Sequence, residues 1–65
     1  MIVIVKEEGN IIFKGDAEDL LEQYEFDTEL EVSLNELEYP DINRIRFLGY
    51  LGSWVIEKQK ELIYE

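Results

Sequence analysis

"DAEDLLEQYEFDTELEVSLNELEYPD", residues 16–41, contains eleven Asp and Glu residues and no Lys or Arg. Apolar side chains interrupt these acids at regular intervals, so the segment has the pattern of folded structure and not that of a disordered acidic tail. In its first half the apolar positions follow the i, i+3, i+4, i+7 spacing of one helix face: Ala17, Leu20, Leu21 and Tyr24. With Asp16 as N-cap, this spacing predicts a helix that buries one face.

The second half of the segment changes its period. In "TELEVSL", residues 28–34, Leu30, Val32 and Leu34 alternate with polar residues, which predicts a strand with one exposed face. The alternation stops at Glu36, which falls in phase with the apolar side. Ser33 and Glu36 have the spacing of a capping box, so a single helical turn that ends before Pro40 is one explanation, and a β-bulge is the other.

The residues that precede this segment predict a β-hairpin. "MIVIVK" (1–6) and "IIFK" (11–14) are rich in β-branched residues, and the "EEGN" between them supplies the Gly and Asn that tolerate positive φ. Because both strands are almost continuously apolar, we expect both to be central and well covered in the sheet.

The C-terminal part begins with "NRIRFL" (43–48), where alternation again predicts a strand, although a helix over 42–51 is an alternative. The glycines of "GYLG" (49–52) indicate a turn. After Ser53, a suitable N-cap, "WVIEKQKELIYE" (54–65) is rich in helix formers and predicts a helix. A charged hairpin around "EKQK" (57–60) is the alternative.

Together these elements predict a small α+β fold in a single acidic domain, residues 1–65. The expected order is β-β-α-β-β-α, with one or two helices on one face of a mostly antiparallel sheet. A domain of this size is marginally stable, and the absence of cysteine excludes disulfides as a supplement. Association into a homodimer or a higher homo-oligomer is therefore expected.

The net charge of −10 indicates which kinds of molecule the protein can bind. Such a surface repels nucleic acid and anionic membranes and attracts cationic proteins, so we expect a basic protein partner and no direct nucleic-acid or membrane binding. The longest uncharged run, residues 47–56, is too short to span a bilayer. We expect a cytoplasmic protein.

No residue pattern indicates catalysis, so the chain is expected not to be an enzyme. Histidine and cysteine are absent, which removes the usual bases, nucleophiles and zinc ligands. The four glycines form no phosphate-binding loop, and the acidic segment lacks the spacing of a calcium-binding loop. We therefore expect no cofactor and no metal.

The acidic segment itself is the candidate functional site. Ordinary surfaces intersperse both signs of charge, whereas this one does not, and its carboxylates repeat at intervals comparable to those of nucleic-acid phosphates. A surface that mimics nucleic acid and one that only confers solubility both fit this pattern. The residues expected to contact a basic partner are Glu18, Glu22, Glu25, Asp27, Glu29, Glu31, Glu36 and Glu38.

In size and charge the chain is similar to the small acidic inhibitors that phages use against host nucleic-acid enzymes and defence systems. This resemblance is one of composition, and it implies a non-enzymatic inhibitor but no particular site residue. The alternative function is that of a small homo-oligomeric assembly protein, whose acids serve solubility only. It would associate through the apolar residues 47–56, with Tyr50, Leu51 and Trp54 as interface candidates. Arg44 and Arg46, on one strand face, are expected to pair with the acidic side or across such an interface.

Overall fold

The structure is a computed structural model that describes residues 1–59. A four-stranded antiparallel sheet with strand order β2-β1-β4-β3 carries both helices on one face, which confirms the predicted α+β class. The chain order is β-β-α-α-β-β, so two of the six predicted elements are of the wrong type. The elements are β1 (Ile2–Glu7), β2 (Asn10–Asp16), α1 (Ala17–Gln23), α2 (Thr28–Leu37), β3 (Arg44–Gly49) and β4 (Gly52–Lys58).

The predicted N-terminal hairpin is confirmed as β1 and β2. Its turn residues Glu8 and Gly9 have φ of 51° and 82°, the two positive values that a type I′ turn requires. β1 is a central strand, as predicted. The prediction that β2 is also central and well covered is wrong, since β2 forms one edge of the sheet and Ile11 is 60% exposed. The physical reason is that the helices cover only one face, and Ile11 pairs with Lys6 on the other.

The strand predicted over residues 28–34 is wrong, because this segment is part of α2. Leu30, Leu34 and Leu37 follow the helical i, i+4, i+7 spacing and are at most 3% exposed, whereas Val32 is 53% exposed. Asp27 caps the helix, its Oδ1 accepting the backbone N–H of Leu30 at 3.1 Å. The helix runs continuously to Leu37, so it replaces both the single turn and the bulge.

The helix predicted after Ser53 is also wrong within the described residues, where Gly52–Lys58 forms strand β4. β4 lies between β1 and β3 and pairs with both, Ile56 opposite Val5 and Trp54 opposite Phe47. Two neighbouring strands satisfy the backbone of β4, and this pairing outweighs the helix propensity of its residues. The rest of that predicted helix, residues 60–65, lies outside the described part of the chain.

Strand β3 confirms the strand predicted over residues 43–48, so the helix considered over 42–51 does not form. The predicted turn is also confirmed, and it joins β3 to β4 through Tyr50 and Leu51. Gly52 has φ of 142°, and a Cβ there would lie 2.7 Å from Glu7 Oε2. This position favours glycine, because residues with a side chain rarely adopt such a φ.

The core lies between the helices and one face of the sheet, with Trp54 near its centre. The Trp54 ring centroid lies 5.1 Å from that of Tyr24 and 5.3 Å from that of Phe47. Its Nε1 donates a hydrogen bond to Glu7 Oε2 at 3.1 Å, so the indole is buried with its polar atom satisfied. Neither helix in residues 1–59 has the length and apolar character needed to cross a membrane.

Candidate functional site

Residues 16–41 form what we call the acidic helical layer, which comprises α1, α2 and their flanking turns. No Lys or Arg occurs between Lys14 and Arg44, so its outer surface carries one sign of charge. The buried leucines of both helices face the sheet, which leaves the carboxylates on the solvent side. Its exposed acids are Glu18, Asp19, Glu22, Glu25, Glu29, Glu31, Glu36, Glu38 and Asp41.

Asp16 at the start of this layer has a structural role. Its Oδ1 accepts the backbone N–H of Glu18 at 2.9 Å, and its Oδ2 lies 3.6 Å from the Met1 ammonium group. The hydrogen bond from Glu18, assisted by the positive amino terminus, holds the pKa of Asp16 below its ordinary value of 3.8. Asp16 therefore fixes the beginning of α1, and the carboxylates available to a partner are those that follow it.

The connection between the two helices has a defined geometry. The N–H of Phe26 bonds to the carbonyl of Leu21 at 2.8 Å and that of Glu25 to Glu22 at 3.2 Å, which is the Schellman pattern at a helix C-terminus. Glu25 and Phe26 both have positive φ, 56° and 55°. The connection thus fixes the direction in which α2 leaves α1 and presents Glu25 to solvent.

The acids of α2 lie on two flanks of the helix. Glu29 lies beside β3, where a Cβ on Gly49 would come within 2.6 Å of its Oε2. Glu38 lies beside α1, where it lines a shallow groove with Asp16 and Glu18. Glu29 and Glu31 therefore do not lie side by side as they would on the strand predicted over residues 28–34, because residues two apart on a helix differ by about 200° in direction.

One predicted site residue has a structural role, and one exposed acid is missing from the predicted set. Asp27 is only partly exposed, and its carboxylate is occupied in capping α2. Asp19 is exposed on the outer surface of α1 but is absent from the predicted set, although its place in the first helical turn was a usable signal. The remaining predicted acids are all exposed on the acidic helical layer.

One cation of the sheet reaches the helices, but it binds carbonyl groups. Lys58 Nζ donates to the carbonyl oxygens of Leu37 at 2.8 Å and Tyr39 at 3.0 Å, at the C-terminal end of α2. A cation is favourable there because the last carbonyls of a helix lack intrahelical partners. Within residues 1–59, no Lys or Arg forms an ion pair with a carboxylate of α1 or α2.

The predicted oligomer interface is only partly at the surface. Tyr50 is 93% exposed in the β3–β4 turn and Leu51 is half-buried, but Trp54 is 2% exposed and cannot serve as a surface anchor. The structure adds Val32 and Leu48, which line one groove between α2 and the edge strand β3. Val32 is exposed because residues 28–34 form part of a helix, whereas the predicted strand would place it in the core.

Arg44 and Arg46 lie on the face of the sheet opposite the helices, and Arg46 also lines the groove at the β3 edge that contains Glu29 and Val32 of α2. Arg44 is paired with Glu57 in the register and Arg46 with Val55. No group of three or more carboxylates in residues 1–59 is arranged to hold a metal ion. Comparison with models of known protein families, with curated proteins and with solved structures finds no match to this chain.

Proposed function

We propose that this protein is a non-enzymatic binding module that docks its acidic helical layer onto a basic surface of another protein and thereby inhibits it. The observation that carries this proposal is the segregation of charge. Residues 16–41 contain eleven acids and no bases, and nine of these acids are exposed on two helices that share one core and on their flanking turns. An exposed surface of a single sign steers a cationic partner towards it.

The rigidity of the layer supports this proposal. Leu20, Leu30 and Leu37 are fully buried and fix both helices against the sheet. Glu18 and Glu22 then lie on one helix face, where Cβ atoms four residues apart are separated by about 5–6 Å. This spacing is comparable to that of successive phosphates in nucleic acid, so the basic nucleic-acid groove of a protein is the partner surface we propose.

The energetic cost of the layer also supports a binding role. Like charges at i, i+4, such as Glu18 and Glu22, destabilise a helix by about 0.2–0.5 kcal/mol, and no base compensates them here. A mixed surface would confer solubility without this cost in a marginally stable domain. Similarity in size and charge to phage inhibitors makes a nucleic-acid enzyme or a defence protein our proposed target.

The test is capture of partners from a cell lysate on the immobilised protein. We expect a basic nucleic-acid-binding protein to be retained at about 0.01 M ionic strength and released towards about 1 M, because the Debye length falls from about 30 Å to about 3 Å. Added duplex DNA should release it as well, since DNA competes for the same groove.

Matched variants locate the contact. The double substitution Glu22→Gln and Glu31→Gln should weaken retention, whereas Glu8→Gln with Glu57→Gln removes the same charge outside the acidic helical layer and should not. Retention that is equal in both variants, or that neither salt nor DNA reduces, contradicts the proposal.

A homo-oligomeric assembly protein is the second candidate. The exposed apolar side chains of Val32 and Leu48, which line one groove, favour it, together with Tyr50 nearby in the chain. Sedimentation equilibrium separates the two functions. A stable oligomer that Leu48→Ser disperses, and that Glu22→Gln with Glu31→Gln leaves intact, supports assembly.

A further inference from the structure

The face of the sheet that the helices leave uncovered has a chemistry unlike the rest of the molecule. Antiparallel partners share a face, and the register places Ile4 with Lys14 and Glu57, and Val55 with Lys6 and Arg46. We call this surface the open sheet face. Its residues are Ile4, Lys6, Ile11, Lys14, Arg44, Arg46, Leu48, Ser53, Val55 and Glu57.

This face concentrates the positive charge of the protein. It holds four of the six Lys and Arg residues of a chain whose net charge is −10. Its acid Glu57 is paired with Lys6, whose Nζ lies 3.4 Å from Glu57 Oε1. Lys14, Arg44 and Arg46 are exposed and form no ion pair with any residue among 1–59. The two faces of the domain thus differ in sign.

Apolar groups lie between these cations. Ile4 and Val55 are half-buried near the middle of the face, and Ile11 and Leu48 are 60% and 68% exposed. A shallow groove on this face is lined by Lys6, Arg44, Arg46, Val55 and Glu57, together with Glu8. A ligand that fits this groove presents carboxylates to its sides and apolar side chains to its floor.

We propose that the open sheet face is a second docking surface, and that it binds an acidic polypeptide segment of a protein partner in extended conformation. Arg44 and Arg46 are two residues apart on β3, so their spacing along the strand is about 6.6 Å. Alternate residues of an extended peptide have the same spacing, and a segment with acids at every second position matches both guanidinium groups.

Other occupants fit this face less well. Single-stranded nucleic acid is bound through stacking on aromatic side chains, and the open sheet face carries none, since Phe47 and Trp54 point into the core. The acidic helical layer of a second copy has suitable charge, but it lies on the opposite side of the domain. Contacts of this kind would therefore join copies head to tail in an open chain and not in a closed oligomer. Each added copy also brings ten further negative charges.

The proposal is tested by nuclear magnetic resonance titration of the isotopically labelled protein. The probe is a synthetic peptide in which glutamate alternates with valine and threonine, and the control peptide has lysine in place of glutamate. We expect the acidic peptide to shift amide signals of β1, β3 and β4. The lysine peptide should shift signals of α1 and α2 instead, which tests the proposed function separately.

Two double variants of equal net charge identify the site. Arg44→Gln with Arg46→Gln and Gln23→Glu with Asn35→Glu each make the protein two units more negative. The arginine variant should bind the acidic peptide about twofold to thirtyfold more weakly, as the loss of two exposed ion pairs implies. The control should bind it almost as well as the wild type, because Gln23 and Asn35 are exposed on the helices.

Four outcomes overturn the proposal. They are undetectable binding of the acidic peptide, equal weakening in both double variants, tighter binding of oligothymidylate or phosphatidylserine vesicles, and a wild-type oligomer that the arginine variant alone disperses. The last would assign the open sheet face to a second copy. None of these results bears on the acidic helical layer, whose test uses a different peptide and different residues.

Discussion

Residues 28–37 provide the sharpest test of the fold, because a strand and a helix bury different side chains there. In the structure Leu37 is fully buried and Val32 is 53% exposed, whereas a strand with Leu30 and Leu34 inward would bury Val32 as well. We therefore compare Leu37→Ala with Val32→Ala. Leu30→Ala serves as an internal standard, because both structures bury that residue.

The expected effects differ in size and in sign. Truncation of a fully buried leucine costs about 2–5 kcal/mol, against a total stability of about 3–10 kcal/mol for a domain of this length. Leu37→Ala should thus lower the melting temperature by about 8 °C or more, or unfold the domain. Val32→Ala should raise stability by up to about 0.7 kcal/mol, because alanine is the better helix former at an exposed position.

The assay is urea denaturation followed by tryptophan fluorescence, with far-ultraviolet circular dichroism as a second probe. Trp54 is the only tryptophan of the chain and is 2% exposed, so its emission reports loss of the core. Leu30→Ala and Leu37→Ala should destabilise alike. A loss in Val32→Ala as large as in Leu30→Ala would refute the helix and the arrangement of carboxylates derived from it.

Two further predictions concern the ends of α1. Glu25 has φ of 56° at the position after the helix C-cap. Glu25→Gly should therefore raise the free energy of unfolding by about 1 kcal/mol in thermal denaturation. Glu22→Gly, inside the helix, should lower it by a similar amount. A loss in both variants contradicts the left-handed geometry. At the other end of α1, the folded-state pKa of Asp16 is below its ordinary value of 3.8. The ionised carboxylate therefore stabilises the fold above pH 3.8, and this stabilisation is lost as the pH falls through the folded-state pKa. In urea denaturation over a pH series, the stability advantage of the wild type over Asp16→Asn should disappear in acid, and an advantage that persists there contradicts the lowered pKa of Asp16.

The sequence predicted elements wherever its pattern fitted one structure only. The β1–β2 hairpin carries its own turn residues, Glu8 and Gly9, and α1 carries both its N-cap and a complete apolar face. Residues 28–34 were ambiguous, because Leu30 and Leu34 lie on one side of a strand and also on one side of a helix. Glu36 is a charged residue at a position that a continuing strand would bury, and this mismatch was the available sign of the helix.

Of the candidate site, the sequence by itself determined that residues 16–41 contain eleven of the sixteen acids and no Lys or Arg. Only the structure decided which carboxylates share a surface, since Asp27 is occupied as the cap of a helix that the sequence did not predict and the acids of α2 divide between its flanks.

The open sheet face likewise depended on tertiary structure. Lys6 and Arg46 are 40 positions apart in the chain, and β4 brings them to one surface by pairing with β1 and β3. That pairing overrode the helix propensity of residues 54–58, because a central strand gains two hydrogen-bonded neighbours and buries Trp54 and Ile56. Local sequence thus determined the charge of the helices, and strand pairing distant in sequence placed the opposite charge on the other face.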